Sequence, residues 1–260
     1  MSDDQHPFDK AAESLQKMAD QPVAGQDASP DFWELRFASD DSVGDYPQAM
    51  PLVEPKAWEP GDPIDETGGL DGDGFPRLPD GLEAQQLLPT AKWTDVLSSN
   101  LWSDGYLLSE KALQPFRQAA LGQFREYPVT VVDSKGDERP YTYLFIKNEI
   151  PPSALDFERS EFYITDMLST PIAPVTINSY EEWLTTLERA SAGELEGGEE
   201  FSSIAYKRLY FRAGHTPEVE LFRLERLCVT TYISTRFKDA LRLAGITGLE
   251  IKHNRRLFFP

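Results

Sequence analysis

The segment 227–252, LCVTTYISTRFKDALRLAGITGLEIK, decides the fold class. Its opening residues, Leu227–Ile233, are rich in β-branched side chains and read as a strand. Ser234 then offers an oxygen to the backbone N–H groups that the start of a helix leaves bare. Phe237, Ala240, Leu241 and Ala244 recur at helical spacing and define an inner face. Gly245 supplies the stop, because glycine enters the left-handed conformation without a Cβ clash. Leu249 and Ile251 alternate as the next strand. Strand, cap, helix, stop and strand in one short run predict an α+β protein.

The same order occurs upstream. Leu107-Leu108-Ser109 leads toward a helix, Leu121-Gly122 ends it, and a strand follows at Val129. Pro115 weakens this first copy, since a mid-helix proline costs about 3 kcal/mol. Val129–Val132 and Tyr141–Lys147 are β-rich runs joined by DSKGDERP, which predicts a hairpin. Ser179-Tyr-Glu-Glu182 has the form of a capping box, opening a helix to about Ser191 with Trp183, Leu184 and Leu187 inward. Phe201–Arg212 and Glu218–Arg226 read as strands around a GHTP turn. Trp93–Leu101 suits a short helix, Phe32–Phe37 a first strand, and residues 8–20 a short amphipathic helix.

Charge divides the chain. Residues 1–90 hold 20 Asp and Glu against 5 Lys and Arg, a net of −15; residues 91–260 carry only −4. From Ser39 to Pro89 the signals are mostly breakers, yet Tyr46, Trp58 and Phe75 punctuate them. The expected organisation is a mobile or docked arm over 1–30 and an acidic irregular N-terminal region over 31–90. An α+β domain over 91–260 follows, with a mixed β-sheet core and flanking helices. Residues 203–260 hold 11 Lys and Arg against 5 Asp and Glu. Arg208, Arg212, Arg223, Arg226, Arg236 and Arg242 are expected to face the acidic N-terminal region of their own chain.

Composition narrows the function. A net charge of −19 disfavours nucleic acid and anionic lipid as direct ligands and favours a basic protein partner, a cation or simple solubility. The polar start has neither a basic n-region nor an apolar h-region, no run is long enough to span a bilayer, and Cys228 is the single cysteine; a cytoplasmic protein is expected. No GxSxG, HExxH, phosphate-loop or GxGxxG motif occurs, and His6, His215 and His253 lack metal-ligand spacing. DGDG at 71–74 fails the calcium-loop template, because Phe75 and Leu82 stand where oxygen ligands are needed. The expectation is no enzyme activity, no cofactor and no metal.

VELFRLERL (219–227) and TTYISTRFKDALRLAGITGLEIK (230–252) carry a resemblance. In Leu221, Phe222, Arg223, Leu224, Ser234, Arg236, Phe237, Ala244, Gly245, Gly248, Leu249 and Glu250 the chain resembles the C-terminal end of the eleventh named immunity family of polymorphic-toxin systems, a former domain of unknown function. The resemblance covers about residues 95–255 and is closest over 205–252. It implies a cytosolic antidote that neutralises a cognate toxin by stoichiometric binding, without catalytic residues. An acidic inhibitor suits a toxin with a basic cleft, such as a nuclease. The partner-binding candidates are Asp40, Asp41, Asp45, Tyr46, Trp58, Asp62, Asp65, Glu66 and Phe75. A non-toxin interaction or adaptor module is the alternative, and an enzyme with an unrecognised site a further one. The toxin's identity, the stoichiometry and the oligomeric state are not encoded in any motif.

Overall fold

The computed structural model describes residues 31–51, 73–76, 82, 84–99, 105–166, 169–195, 202–225 and 227–260. The expected helix over 8–20 lies outside them. The protein is α+β, with three mixed sheets and three α-helices among the described residues.

The segment 227–252 folds as its pattern predicts. Strand β13 (Cys228–Ser234) runs into a helix over Thr235–Leu243, here α3, and then into β14 (Leu249–His253). The Ser234 hydroxyl accepts the N–H of Phe237 at 3.1 Å, and Gly245 closes the helix at φ +59°. The upstream copy is real as well. Strand β5 (Gly105–Leu108) leads through the Ser109 cap into α1 (Glu110–Gln118), and β6 (Gln123–Val132) follows. Pro115 sits inside α1 with its ring buried beside Ala112, Leu113 and Phe116, and that burial offsets the missing N–H.

The two copies pack against each other. Phe116 of α1 meets Phe237 of α3 edge-on, with ring centroids 5.0 Å apart. They belong to a middle core between two sheets. One is the five-stranded sheet β14-β1-β13-β12-β8, with β1 (Phe32–Phe37), β12 (Leu221–Leu224) and β8 (Glu149–Ile150). The other is the six-stranded sheet β2-β3-β6-β7-β5-β4, with β2 (Ala49–Pro51), β3 (Gln85–Leu87), β7 (Glu138–Lys147) and β4 (Val96–Leu97). Leu35, Leu221 and Ile233 enter the core from the first sheet; Tyr106, Leu108, Leu144 and Ile146 enter it from the second. The helices therefore help to fill the space between sheets rather than flanking a single one.

Period-two alternation sends the other faces into two further cores. Phe32, Phe222 and Tyr232 turn toward a four-stranded sheet, β10-β9-β11-β15, made of β10 (Pro171–Val175), β9 (Leu155–Thr165), β11 (Ser203–Phe211) and β15 (Leu257–Phe258). Trp183 of α2 (Tyr180–Ser191) closes that core. In the capping box of α2, Ser179 accepts the N–H of Glu182, while the Glu182 carboxylate accepts the N–H of Asn178, one residue earlier than the template requires. On the far side of the six-stranded sheet, Tyr127, Val129, Val131, Tyr141, Tyr143 and Phe145 cluster with Ala49, Leu87 and Leu97 of the same sheet and with Phe75.

Two expectations are corrected. Residues 93–99 are not helical. Val96 and Leu97 are both fully buried but point into different cores, as adjacent residues of a strand do. Their neighbourhood also holds the donors a helix would need: Val96 N–H bonds Thr247 O, and Ser98 N–H bonds the Gln48 side chain. Of the C-terminal arginines, Arg208, Arg212 and Arg236 find partners within 91–260, Arg212 donating to Leu155 O at 2.9 Å, while Arg226 lies outside the described residues. Arg208 pairs with Glu161 on β9, and Arg236 makes a two-pronged pair with Glu220. Arg242 lies over the Trp33 ring at 5.8 Å. Among the described residues of the first ninety, Glu34 on β1 is held by Arg256 at 3.0 Å and by Arg36 at 2.6 Å, and Asp73 lies 4.0 Å from Arg125.

Candidate functional site

The first acidic candidates fall on the loop 38–48, which joins β1 to β2. Its sequence, ASDDSVGDYPQ, combines turn formers with one apolar residue and one amide. The Asp40 carboxylate accepts the Ser42 N–H at 2.8 Å, and Val43 N–H bonds Asp40 O, which folds a tight Asx turn. The Ser42 hydroxyl, followed by its backbone N–H, holds the Asp40 carboxyl below its ordinary value, so the side chain is firmly ionised near neutrality. Gly44 takes φ +77°, and a Cβ there would lie 2.1 Å from Thr90 O, so no other residue fits this approach.

The loop is fastened from beneath. Val43 is fully buried. Gln48, also fully buried, donates its amide to Lys92 O at 2.9 Å and to Thr94 Oγ1 at 3.1 Å, while its Oε1 accepts Ser98 N–H at 3.2 Å. The Thr94 hydroxyl in turn donates a hydrogen bond to Val96 O at 2.7 Å. The backbone N–H of Gln48 bonds Ser98, and its carbonyl accepts from Leu88. One amide side chain thus ties the loop to the 88–98 segment with both its donors and its oxygen engaged, and Val43 O lies a further 3.5 Å from its nitrogen. Ala38 N–H bonds Gly248 O, which fixes the other end.

What the loop shows outward is acidic and aromatic. Asp40 and Asp41 are exposed and Asp45 half-buried, with Asp45 accepting Thr90 N–H at 3.0 Å. Tyr46 is 58 % exposed, and Met50 on β2 is 38 % exposed. Lys92 reaches the Asp41 carbonyl and is the nearby cation.

Phe75 belongs elsewhere. It is buried against Phe145, with Arg125 stacked over its ring at 4.5 Å, so it pins its segment to the core and cannot serve as a surface anchor. Trp58, Asp62, Asp65 and Glu66 lie outside the described residues. Sequence reading missed Gln48 and Val43, whose roles depend on partners about fifty residues away. The only local hint was an amide and a valine among charged turn residues.

Other surfaces carry less. A groove of about 720 Å³ runs along β9 and β10, but among its charged residues Lys207 lies 3.9 Å from Glu161, and Arg159 lies 4.0 Å from Asp156 and over the Tyr210 ring. His215 sits near Ala213 O, and His253 lies edge-on to Trp33. Among the described residues, no group of three or more His, Cys, Asp or Glu is placed to hold a metal ion. No described helix is long and apolar enough to cross a membrane. No known protein family and no curated protein matches the chain.

Proposed function

We propose that this protein is an immunity protein: a cytoplasmic antidote that neutralises a cognate bacterial toxin by stoichiometric binding, with the loop 38–48 as its docking element. The observation that carries the reading is the construction of that loop. Val43 and Gln48 hold it from inside while Asp40, Asp41, Asp45 and Tyr46 face outward. A binding loop fixed before encounter loses less conformational entropy on association. Acidic side chains around a tyrosine suit a steered interface with a basic partner, because opposite fields speed encounter and the ring supplies a central anchor. The net charge of −19 acts in the same direction.

The reading assigns no catalytic residue to this chain, and the toxin's contact face is basic. The test is co-purification of the tagged protein with the toxin encoded beside it. A stable complex of fixed stoichiometry that silences the toxin is the expected result. Failure of the pair to associate at physiological salt would overturn it. Specific capture of a non-toxin protein through the same loop would move the function to an adaptor.

A further inference from the structure

Among the described residues six strands end the three sheets, and five of them are guarded; β2 and the segment after β4 also meet each other through the Ala49–Ser99 bridge. β2, β4, β8 and β15 are two or three residues long, and β10 carries Pro171, Pro174 and a register shift. Short, proline-bearing or bulged edges resist pairing with another chain. β14, Leu249–His253 (LEIKH), is different: five residues, no proline, and an unbroken register with β1, its one pairing partner among the described residues.

Its backbone polarity follows from that register. Ala38 N–H bonds Gly248 O across the β1–β14 pair, so the even-numbered residues of β14 bond toward β1. The N–H and C=O groups of Leu249, Ile251 and His253 then point away from the sheet. The side chains carry a matching charge pattern. Glu34 stands opposite Lys252 and Arg36 opposite Glu250, a checkerboard of signs between β1 and β14. Within β14, Glu250 and Lys252 lie on the same face, 3.1 Å apart, each close to half-exposed.

That sequence is complementary to itself. In an antiparallel pairing with a two-fold axis at Ile251, Glu250 meets Lys252 of a second copy, and Lys252 meets the second copy's Glu250. Ile251 meets Ile251, and Leu249 meets His253. The β1–β14 checkerboard is thereby extended by one more row, and the outward backbone groups of Leu249, Ile251 and His253 are all paired. On the face opposite Glu250 and Lys252, Leu249 and Ile251 line a shallow groove with Leu241, Arg242 and Ile246, and Leu243 is 92 % exposed. We infer that β14 is a homodimerisation edge: two copies of this chain join their five-stranded sheets antiparallel through Leu249–His253. This inference is independent of the toxin reading, since the edge and the loop 38–48 are tested by different variants.

The test uses sedimentation equilibrium and amide hydrogen exchange on the full chain. The wild-type protein should pass from monomer to dimer with rising concentration, and the amides of Leu249, Ile251 and His253 should slow with it, while those of Glu250 and Lys252 stay protected throughout. Glu250→Lys places like charges opposite each other at two symmetric positions and should weaken the dimer by about tenfold or more. The double swap Glu250→Lys with Lys252→Glu restores opposite signs and should recover dimerisation. Thermal unfolding checks that both variants fold. A wild-type protein that stays monomeric at every concentration overturns the inference. So does a dimer that Glu250→Lys leaves intact, or one in which those three amides exchange freely.

Discussion

Replacing Gln48 with Met tests whether one buried amide fixes the acidic loop. Methionine has nearly the same length and fills the same space, so the change removes hydrogen bonds with little loss of packing. Three groups lose their partner: Ser98 N–H, Lys92 O and Thr94 Oγ1. Each buried polar group left unsatisfied costs about 1–3 kcal/mol. Thr94 keeps its bond to Val96 O, and Lys92 O lies near enough to the surface for water to reach it. Stranding of Ser98 N–H then dominates, and the expected loss is about 2–4 kcal/mol. Gln48→Ala should cost more, because it adds a cavity where the side chain is fully buried. Urea unfolding measures both changes, and amide exchange over residues 40–46 measures the loop. A shift below about 1 kcal/mol for Gln48→Met, with unchanged exchange in the loop, would refute the reasoning.

Two further perturbations probe the frame that holds the site. Gly245→Ala and Gly248→Ala should differ: both residues have positive φ, but only at Gly248 would a Cβ strike backbone, 2.0 Å from Val96 O, so Gly248→Ala should lower the unfolding midpoint much further. Equal losses would show that strain in φ alone decides both positions. Glu220, held by Arg236, is depressed to about 2 against an ordinary value of 4.5. A depressed carboxyl adds stability above its unfolded pKa and loses it as pH falls toward the folded one. Stability should therefore drop by about 1–3 kcal/mol between pH 5 and pH 2 through this group, a range that allows for screening of the exposed Arg236. Glu220→Gln should flatten that part of the pH profile, and an unchanged profile would count against the pair.

The local signals in the chain were legible because each depends on few residues. Ser109, Ser179 and Ser234 cap their helices through contacts three residues away, and β1 and the β6–β7 hairpin announce themselves by alternation. The signals that failed are those set by distant neighbours. Trp93–Leu101 has helical spacing, but Val96 and Leu97 serve two cores at once, which no local pattern records. Arg256 stands in the basic run KHNRR at 252–256, yet it is drawn inside by Glu34, 222 residues earlier, as β15 pairs beside β11. The candidate site divides in the same way. Its outward half, Asp40, Asp41, Asp45 and Tyr46, could be picked from composition. Its inward half, Val43 and Gln48, could not, because burial there comes from the 88–98 segment.

The central claim is that the acidic loop steers and docks a basic toxin. The measurement that tests it most directly is the association rate of the protein with its toxin, followed by stopped flow at low and high salt. The wild type is compared with the triple variant Asp40→Asn, Asp41→Asn, Asp45→Asn. The account predicts that the variant folds normally and associates more slowly. Its deficit should be largest at low salt and should shrink as ions shorten the reach of the field to about 10 Å or less. An association rate and a salt dependence both unchanged by the triple variant would contradict it.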